Sequence, residues 1–287
     1  MRTFILGVGT QKSGTTWFFN QLKKNENFKA PFRKEMHIFD AKFLPKCGHR
    51  RSIERSYENA QKDGAGLDEQ KDATLRYQML QDPEEYFRYY DRLLSEENSF
   101  TADITPTYAA IPADGLKLIK SSFERLSISV KVVYFIREPV TRLESMVRMS
   151  FRRQKKIRTA TVEDLMQEIS ALTQSRADLL RSSYDKAVNN IHECFGKDNV
   201  YIGFYETMFN KEELARLSEF LSIDPSTFDG AAVINGAGRK FKYSSEFLSK
   251  VKEKYNHQYD FVSQALGFDR KIWDQALVNI SNNSTSN

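Results

Sequence analysis

The sequence predicts an α/β fold in three layers, a central, mainly parallel sheet flanked by helices, and three observations predict it. Apolar, β-branched runs recur at 3–9 (TFILGVG), 99–104 (SFTADI), 130–136 (VKVVYFI) and 199–205 (NVYIGFY). The last two are nearly continuous in apolar character, as parallel strands covered on both faces are. Helical patterns separate the runs, and strands alternating with helices favour a parallel sheet. The first run also passes through a glycine loop directly into a helical pattern.

Taken in order, the run 3–9 is the first strand and TTWFFNQLKKN the helix after its loop. PEEYFRYYDRLL has a proline suited to a first helical turn, and its mixed charges read as an amphipathic helix with a solvated face. From 161 to 195, Leu165, Ile169, Leu172, Leu179, Leu180, Val188 and Ile191 fall at helical spacing. The stretch 41–98 is polar, charged and glycine-punctuated (KDGAGLDEQKD), which reads as an insertion or lid on the acceptor side rather than a second domain. The ending NISNNSTSN, 279–287, lacks the apolar residues to pack and is expected to fray, leaving 1–278 as one domain.

Composition bounds the function. A chain of 287 residues with 40% hydrophobic content builds a sizeable core. A net charge of +5 is below that of a dedicated nucleic-acid binder but attracts an anionic ligand into a basic cleft. No apolar run reaches bilayer length, and the apolar part of MRTFILGVGTQ is too short for a secretory signal, so no membrane association is expected. Two distant cysteines, Cys47 and Cys194, suit a reducing compartment, and a cytoplasmic location is expected. His37, His49, His192 and His257 show no metal-ligand spacing, so no metal is expected.

The chemistry starts at Gly9, where the chain reads GTQKSGTT. The glycine spacing is that of a phosphate-binding loop, GxxxxGK[ST], whose backbone N–H groups and helix N-terminus cradle an anion. The lysine of that pattern is absent: Thr15 stands in its place, and Lys12 sits within the loop. A cation there serves a leaving 5′-phosphate, and a sulfuryl group, less charged than a terminal phosphoryl group, has less need of a metal clamp.

QKSGTTW resembles the 5′-phosphosulfate loop of the sulfotransferases that use 3′-phosphoadenosine 5′-phosphosulfate (PAPS), in the style of the carbohydrate-type and bacterial members. The resemblance implies a P-loop-like fold and binding of the 5′-phosphosulfate by Lys12, Ser13, Gly14, Thr15 and Thr16, with Trp17 against adenine. REPVTRLES resembles the family's RxPxxRxxS, which implies a 3′-phosphate site at Arg137 and Ser145. An arginine at a strand end beside the ligand crevice supplies a planar fork for phosphate. Arg142, between them, reads as structural. NGAGRKF, 235–241, resembles the loop that closes over the 3′-phosphate, which implicates Gly238, Arg239 and Lys240.

Transfer to a hydroxyl or amine needs a base for the acceptor's proton. APFRKEMHIFD, 30–40, offers Lys34, Glu35 and His37. It resembles the KExHFFD-like motif of carbohydrate-type members, which implies Glu35 as base and Lys34 and Glu35 at the substrate; His37 is the alternative base. In DITPTY, 103–108, Ile104 stands where that branch has a second catalytic lysine, which moves leaving-group work onto Lys12. The motifs ALGFDRKIWD and NVYIGFYETMF, also similar to the family's, read as packing. The implied reaction moves a sulfuryl group from PAPS to a small-molecule or glycan acceptor, releases 3′,5′-ADP and requires no metal. Two other readings stay open, a P-loop kinase or NTPase using Glu138 or Asp103 for Mg²⁺, and a nucleotide-binding protein without catalysis. The basic run RMSFRRQKKIR, 148–158, and the stretch 150–185 are expected to line the acceptor cleft. Neither the acceptor nor the oligomeric state is readable.

Overall fold

A computed structural model describes residues 2–62, 66–232, 239 and 241–281. The chain begins with β1 (Thr3–Gly9) and the helix after its loop, α1 (Thr15–Leu22). A helical crossover follows: α2 (Ile38–Phe43), α3 (His49–Ala60), α4 (Leu67–Gln81) and α5 (Pro83–Leu93). Then come β2 (Phe100–Ile104), α6 (Ala113–Arg125), β3 (Ser129–Ile136) and α7 (Pro139–Arg153). Three more helices, α8 (Val162–Leu172), α9 (Arg176–Ser182) and α10 (Tyr184–Phe195), lead to β4 (Val200–Phe204). The C-terminal part is α11 (Lys211–Leu221), α12 (Ser245–Glu253), α13 (Asn256–Leu266) and α14 (Arg270–Ser281).

The four strands form one parallel sheet in the order β2-β1-β3-β4. β1 is paired on both edges, Thr3 opposite Phe100 on one side and Ser129 on the other. Both faces are buried, which is why the strand sequences do not alternate apolar with polar. Phe4, Leu6 and Val8 join Val132, Tyr134 and Ile136 in one core. Ile5 joins Val133, Phe135 and the α1 residues Trp17 and Phe18 in the other. Each fully buried large side chain contributes about 1.5–3 kcal/mol relative to exposure. The expected α/β class and three-layer arrangement are those observed.

The chain runs from β1 outward to β2 and then back across to β3, so the strand order reverses beside β1. In an open parallel sheet the ligand crevice lies at such a switch point, beyond the strands' C-terminal ends. The glycine loop after β1 and Arg137 after β3 both fall there.

Two expectations about the helices change. The polar stretch 41–98 is less of an appendage than its composition implies: Met79, Leu80, Tyr86, Phe87 and Tyr90 lie in the larger core. In α5 the charged residues face solvent while the ring-bearing face covers Phe4 and Phe123. In α9, Leu179 is 46% exposed, whereas Asp178 is fully buried. The helix turns its polar face inward because Arg142 of α7, also fully buried, bonds Asp178 and Ser182 (2.7 Å to the Ser182 hydroxyl). The motifs near the C-terminus do pack: the Glu206 carboxylate accepts from the Glu138 N–H (2.9 Å) and the Trp273 indole (3.0 Å). Among the described residues no helix is long and apolar enough to cross a membrane.

Candidate active site

The loop after β1 is shaped by two left-handed residues, Lys12 (φ 75°) and Gly14 (φ 79°). Successive turns of this kind direct backbone N–H groups to one side and form an anion nest. Gly9 is needed for a different reason. A Cβ there would lie 2.5 Å from the Pro106 carbonyl oxygen, a backbone atom that cannot step aside. Gly14 caps α1, whose first intrahelical bond is Phe18 N–H to Gly14 O (3.0 Å). The preceding N–H groups of the first turn have no acceptor within the helix, and the positive helix end is open to an anion.

This loop forms one wall of a cavity of about 610 Å³. Lys12, Gly14, Thr15, Thr16 and Trp17 line it, as do Lys34, Glu35, His37, Arg137 and Ser145, so most of the residues singled out from sequence meet in one place. Trp17 is only 3% exposed, because it packs on Phe209 and Phe228 and donates to the Asp229 carbonyl (3.2 Å). Ser13 does not line the cavity. Its N–H is bonded to Thr10 O (3.3 Å), and its fully buried hydroxyl has no partner among the described residues.

Lys34 takes a place that its sequence position does not announce. Its ammonium lies 3.2 Å from both the Thr15 and Thr16 hydroxyls and 2.9 Å from Glu35 Oε1. Thr15 is the position where an NTPase loop carries its lysine, so a cation absent from the loop's own sequence arrives from the next segment. Ile104 helps to set it there. Its side chain is buried, and its N–H donates to Lys34 O (2.9 Å).

Arg137 leaves β3 and is held in three ways: Nη1 donates to Lys12 O (2.8 Å), Nε to Thr141 Oγ1 (3.3 Å), and the guanidinium lies 4.2 Å from the centre of the Tyr205 ring. It borders both this cavity and a neighbouring one of about 600 Å³ against α14. Ser145 lies two turns into α7 on the cavity side. Arg239 is elsewhere: its Nη1 donates to the Arg158 and Ala160 carbonyls (2.9 Å each), and it does not line the cavity. Gly238 and Lys240 lie outside the described residues.

Opposite the loop, His37 joins two carboxylates. Its Nδ1 is 2.7 Å from Asp40 Oδ2, and its Nε2 is 3.3 Å from Glu35 Oε2. Burial alone would lower the His37 pKa, but hydrogen bonds to Asp40 and Glu35, together with their charge, raise it to about 9. Burial likewise pushes the Glu35 carboxyl up, yet the His37 hydrogen bond and the Lys34 charge prevail and lower it to about 2. At neutral pH the pair is imidazolium and carboxylate. His49 stacks on His37 (centroids 4.0 Å apart), and its Nε2 lies 3.6 Å from the same Asp40 oxygen. His37, Asp40 and His49 thus form a group of possible metal ligands that their spacing does not reveal, because α2 and α3 fold together.

The acids a Mg²⁺-dependent NTPase would call on are otherwise committed. Glu138 is buried, caps α7 through the Val140 and Thr141 N–H groups, and accepts from the Tyr259 hydroxyl. Asp103 is buried and accepts from Thr105 (2.6 Å), Tyr86 (2.9 Å) and the Met36 N–H (3.2 Å). Neither borders the cavity.

Burial and then the nearby positive charge of Arg137, Arg152, Arg148 and Arg153 lower the Lys12 pKa to about 8. A bound polyanion raises it again. Titration calorimetry of 3′,5′-ADP in buffers of differing ionisation enthalpy is therefore expected to show net proton uptake above pH 8, absent from Lys12→Ala. Equal proton uptake in both would rule Lys12 out as the group responsible.

A parallel sheet with a glycine loop and an arginine at its switch point defines the class, a P-loop-like α/β protein. The sulfotransferase domain model matches residues 2–265, and the chain belongs to that family. Its fold is similar to a sulfotransferase from Alicyclobacillus acidocaldarius (TM-score 0.60, 16% identity, 96% of this chain and 99% of that one). It is also similar to the sulfotransferase domain of the Synechococcus PCC 7002 olefin synthase (TM-score 0.51, 14% identity, 94% and 95%). No curated protein sequence matches this chain.

Proposed function

We propose that this sulfotransferase draws its sulfuryl group from PAPS and passes it to a hydroxyl or amine acceptor by in-line displacement, with Glu35 as base. One observation carries the reading: Lys34 bridges the Thr15 and Thr16 hydroxyls and Glu35, which joins an anion cradle to a carboxylate in one cavity. The residues fit the donor. The loop nest, Lys12 and Lys34 suit the 5′-phosphosulfate, and Arg137 with Ser145 suits the 3′-phosphate.

Each residue then has a defined task. Glu35 takes the acceptor's proton as the acceptor atom bonds to sulfur and the bond from sulfur to the bridging oxygen breaks. Lys12 holds the negative charge that collects on the departing 5′-phosphate, the point where a placed cation lowers the barrier most. Lys34, drawn toward an anion at the loop, loosens its hold on Glu35 and leaves that carboxylate more basic. His37 is already protonated, so it orients Glu35 instead of competing as base. Residues 1–278 act as one domain, and the two free thiols suit a reducing compartment such as the cytoplasm.

A thermal-shift comparison tests the donor. 3′,5′-ADP without Mg²⁺ is expected to raise Tm by several degrees, since a ligand at a hundred times its Kd stabilises by about 2.7 kcal/mol. Mg-ATP is expected to give no comparable shift. Stabilisation by Mg-ATP alone would instead favour an NTPase.

A further inference from the structure

The cavity carries more positive charge than the donor accounts for. Among the described residues its wall holds Lys12, Lys34, Arg137, Arg153 and Arg181 against the single carboxylate of Glu35, which is already bonded to Lys34 and His37. Lys12, Lys34 and Arg137 face the donor's phosphates in the proposed reading. Arg153 and Arg181 are left over.

Both lie away from the 3′-phosphate end. Along α7 the cavity-facing residues recur every four positions, Ser145, Met149 and Arg153. Met149 marks the level of the reacting group, because its sulfur is 3.8 Å from Lys12 Nζ. Arg153 is one turn further on, about 12 Å along the helix axis from Ser145 at 1.5 Å per residue. Arg181 approaches from α9. Its carbonyl accepts from Thr10 Oγ1 (2.8 Å) at the start of the loop, and its side chain borders the cavity along with His49, the ring stacked on His37. It stands, therefore, on the base side.

Neither arginine has a carboxylate within salt-bridge distance among the described residues; the Arg181 guanidinium donates only to the Ala177 carbonyl of its own helix. On the same two helices Arg142 is paired with Asp178 and Arg148 with Glu144; Arg152 and Arg176, also without a carboxylate within salt-bridge distance among the described residues, do not line the cavity. Arg181 is half-buried, at a cost in desolvation, while Arg153 is exposed at the end of α7 and extends along the cavity rim; a planar fork facing a cavity is suited to a carboxylate, sulfate or phosphate. We infer that Arg153 and Arg181 form an acceptor subsite for an anionic group, so that the acceptor is a hydroxyl or amine compound bearing a second, negatively charged substituent. This rests on the sulfuryl-transfer reading of the same cavity.

The test is calorimetric titration of inorganic sulfate, and separately of glucuronate with glucose as the neutral control, onto protein saturated with 3′,5′-ADP. Sulfate or glucuronate is expected to bind, glucose not to, and the preferred anion identifies the acceptor's substituent. Arg153→Gln with Arg181→Gln is expected to weaken anion binding by about 10-fold or more, the worth of a lost charge-assisted hydrogen bond, with 3′,5′-ADP affinity retained. Arg153→Gln alone, at an exposed helix end, gives a smaller loss in the same direction and guards against misfolding of the double variant. Absence of anion binding to the loaded wild type, or equal binding by the variants, overturns the subsite. A loss of 3′,5′-ADP affinity in the variants also overturns it, since the arginines would then belong to the donor. If the wild type fails to bind 3′,5′-ADP at all, the donor reading is what fails, and the anion titration on free protein still decides the subsite.

Discussion

Glu35→Gln is expected to lower kcat by about 10²–10⁴-fold, the usual worth of a positioned general base, while 3′,5′-ADP affinity is unchanged. The amide keeps the shape and a hydrogen bond to Lys34 but cannot accept a proton. Single-turnover measurement with labelled donor reads the chemical step directly, and an unaltered rate would remove Glu35 as base. The pKa directions add a second expectation. Glu35 is held as a carboxylate down to about pH 2 and His37 as an imidazolium up to about pH 9. Since the His37 pKa is raised on folding, its contribution to stability is complete below the unfolded value near 6.5 and is lost as pH rises through 9. The Glu35 pKa is lowered, so its contribution is present above about 4.5 and lost as pH falls through 2. An NMR titration that found His37 deprotonating near pH 6.5 would contradict the pairing with Asp40 and Glu35.

The largest stability loss is expected at Arg142, for which Arg142→Ala should cost about 3–5 kcal/mol. Its guanidinium and the Asp178 carboxylate are both fully buried. Asp178 also accepts from the Tyr255 hydroxyl (2.5 Å) and the Gln174 N–H (3.1 Å), and Ser182 bonds both members. Removing the arginine strands a buried carboxylate. Exchanging both partners for apolar residues, Arg142→Met with Asp178→Leu, removes the stranded charge and should recover part of the loss. Urea denaturation checks both, and a single variant as stable as wild type would refute the account. The same network anchors α9, so partial loss of order there would displace Arg181 and its carbonyl bond to Thr10 as well.

Much of the fold was legible because its determinants are local in sequence. The strand 130–136 is apolar on both faces, and that alone marks a central parallel strand. The loop from Gly9 to Thr16 was legible for the same reason, since left-handed turns at Lys12 and Gly14 belong to neighbouring residues. Arg137 and Ser145 were singled out by the resemblance of REPVTRLES to a family motif, and the structure places both on the cavity wall. Leu179 falls at apolar helical spacing yet is exposed, because spacing cannot foresee that a buried arginine 37 residues earlier will draw Asp178 and Ser182 inward.

The sequence by itself determined the three-layer α/β class, the glycine loop, the arginine at the end of β3 and the candidate base. The class, the loop and the arginine's place follow from short-range spacing, which secondary structure converts directly into geometry, while the base rests on the resemblance of a short motif. Tertiary structure alone decided that Lys34 reaches Thr15 and Thr16, that His37 is clamped between Glu35 and Asp40, and that Arg153 and Arg181 meet in one cavity. These depend on non-local packing: β2 holds Lys34 through Ile104, α2 and α3 bring two histidines to one carboxylate, and Arg142 orients α9. A charge's partner, unlike a helix's period, is set by what the fold places across from it.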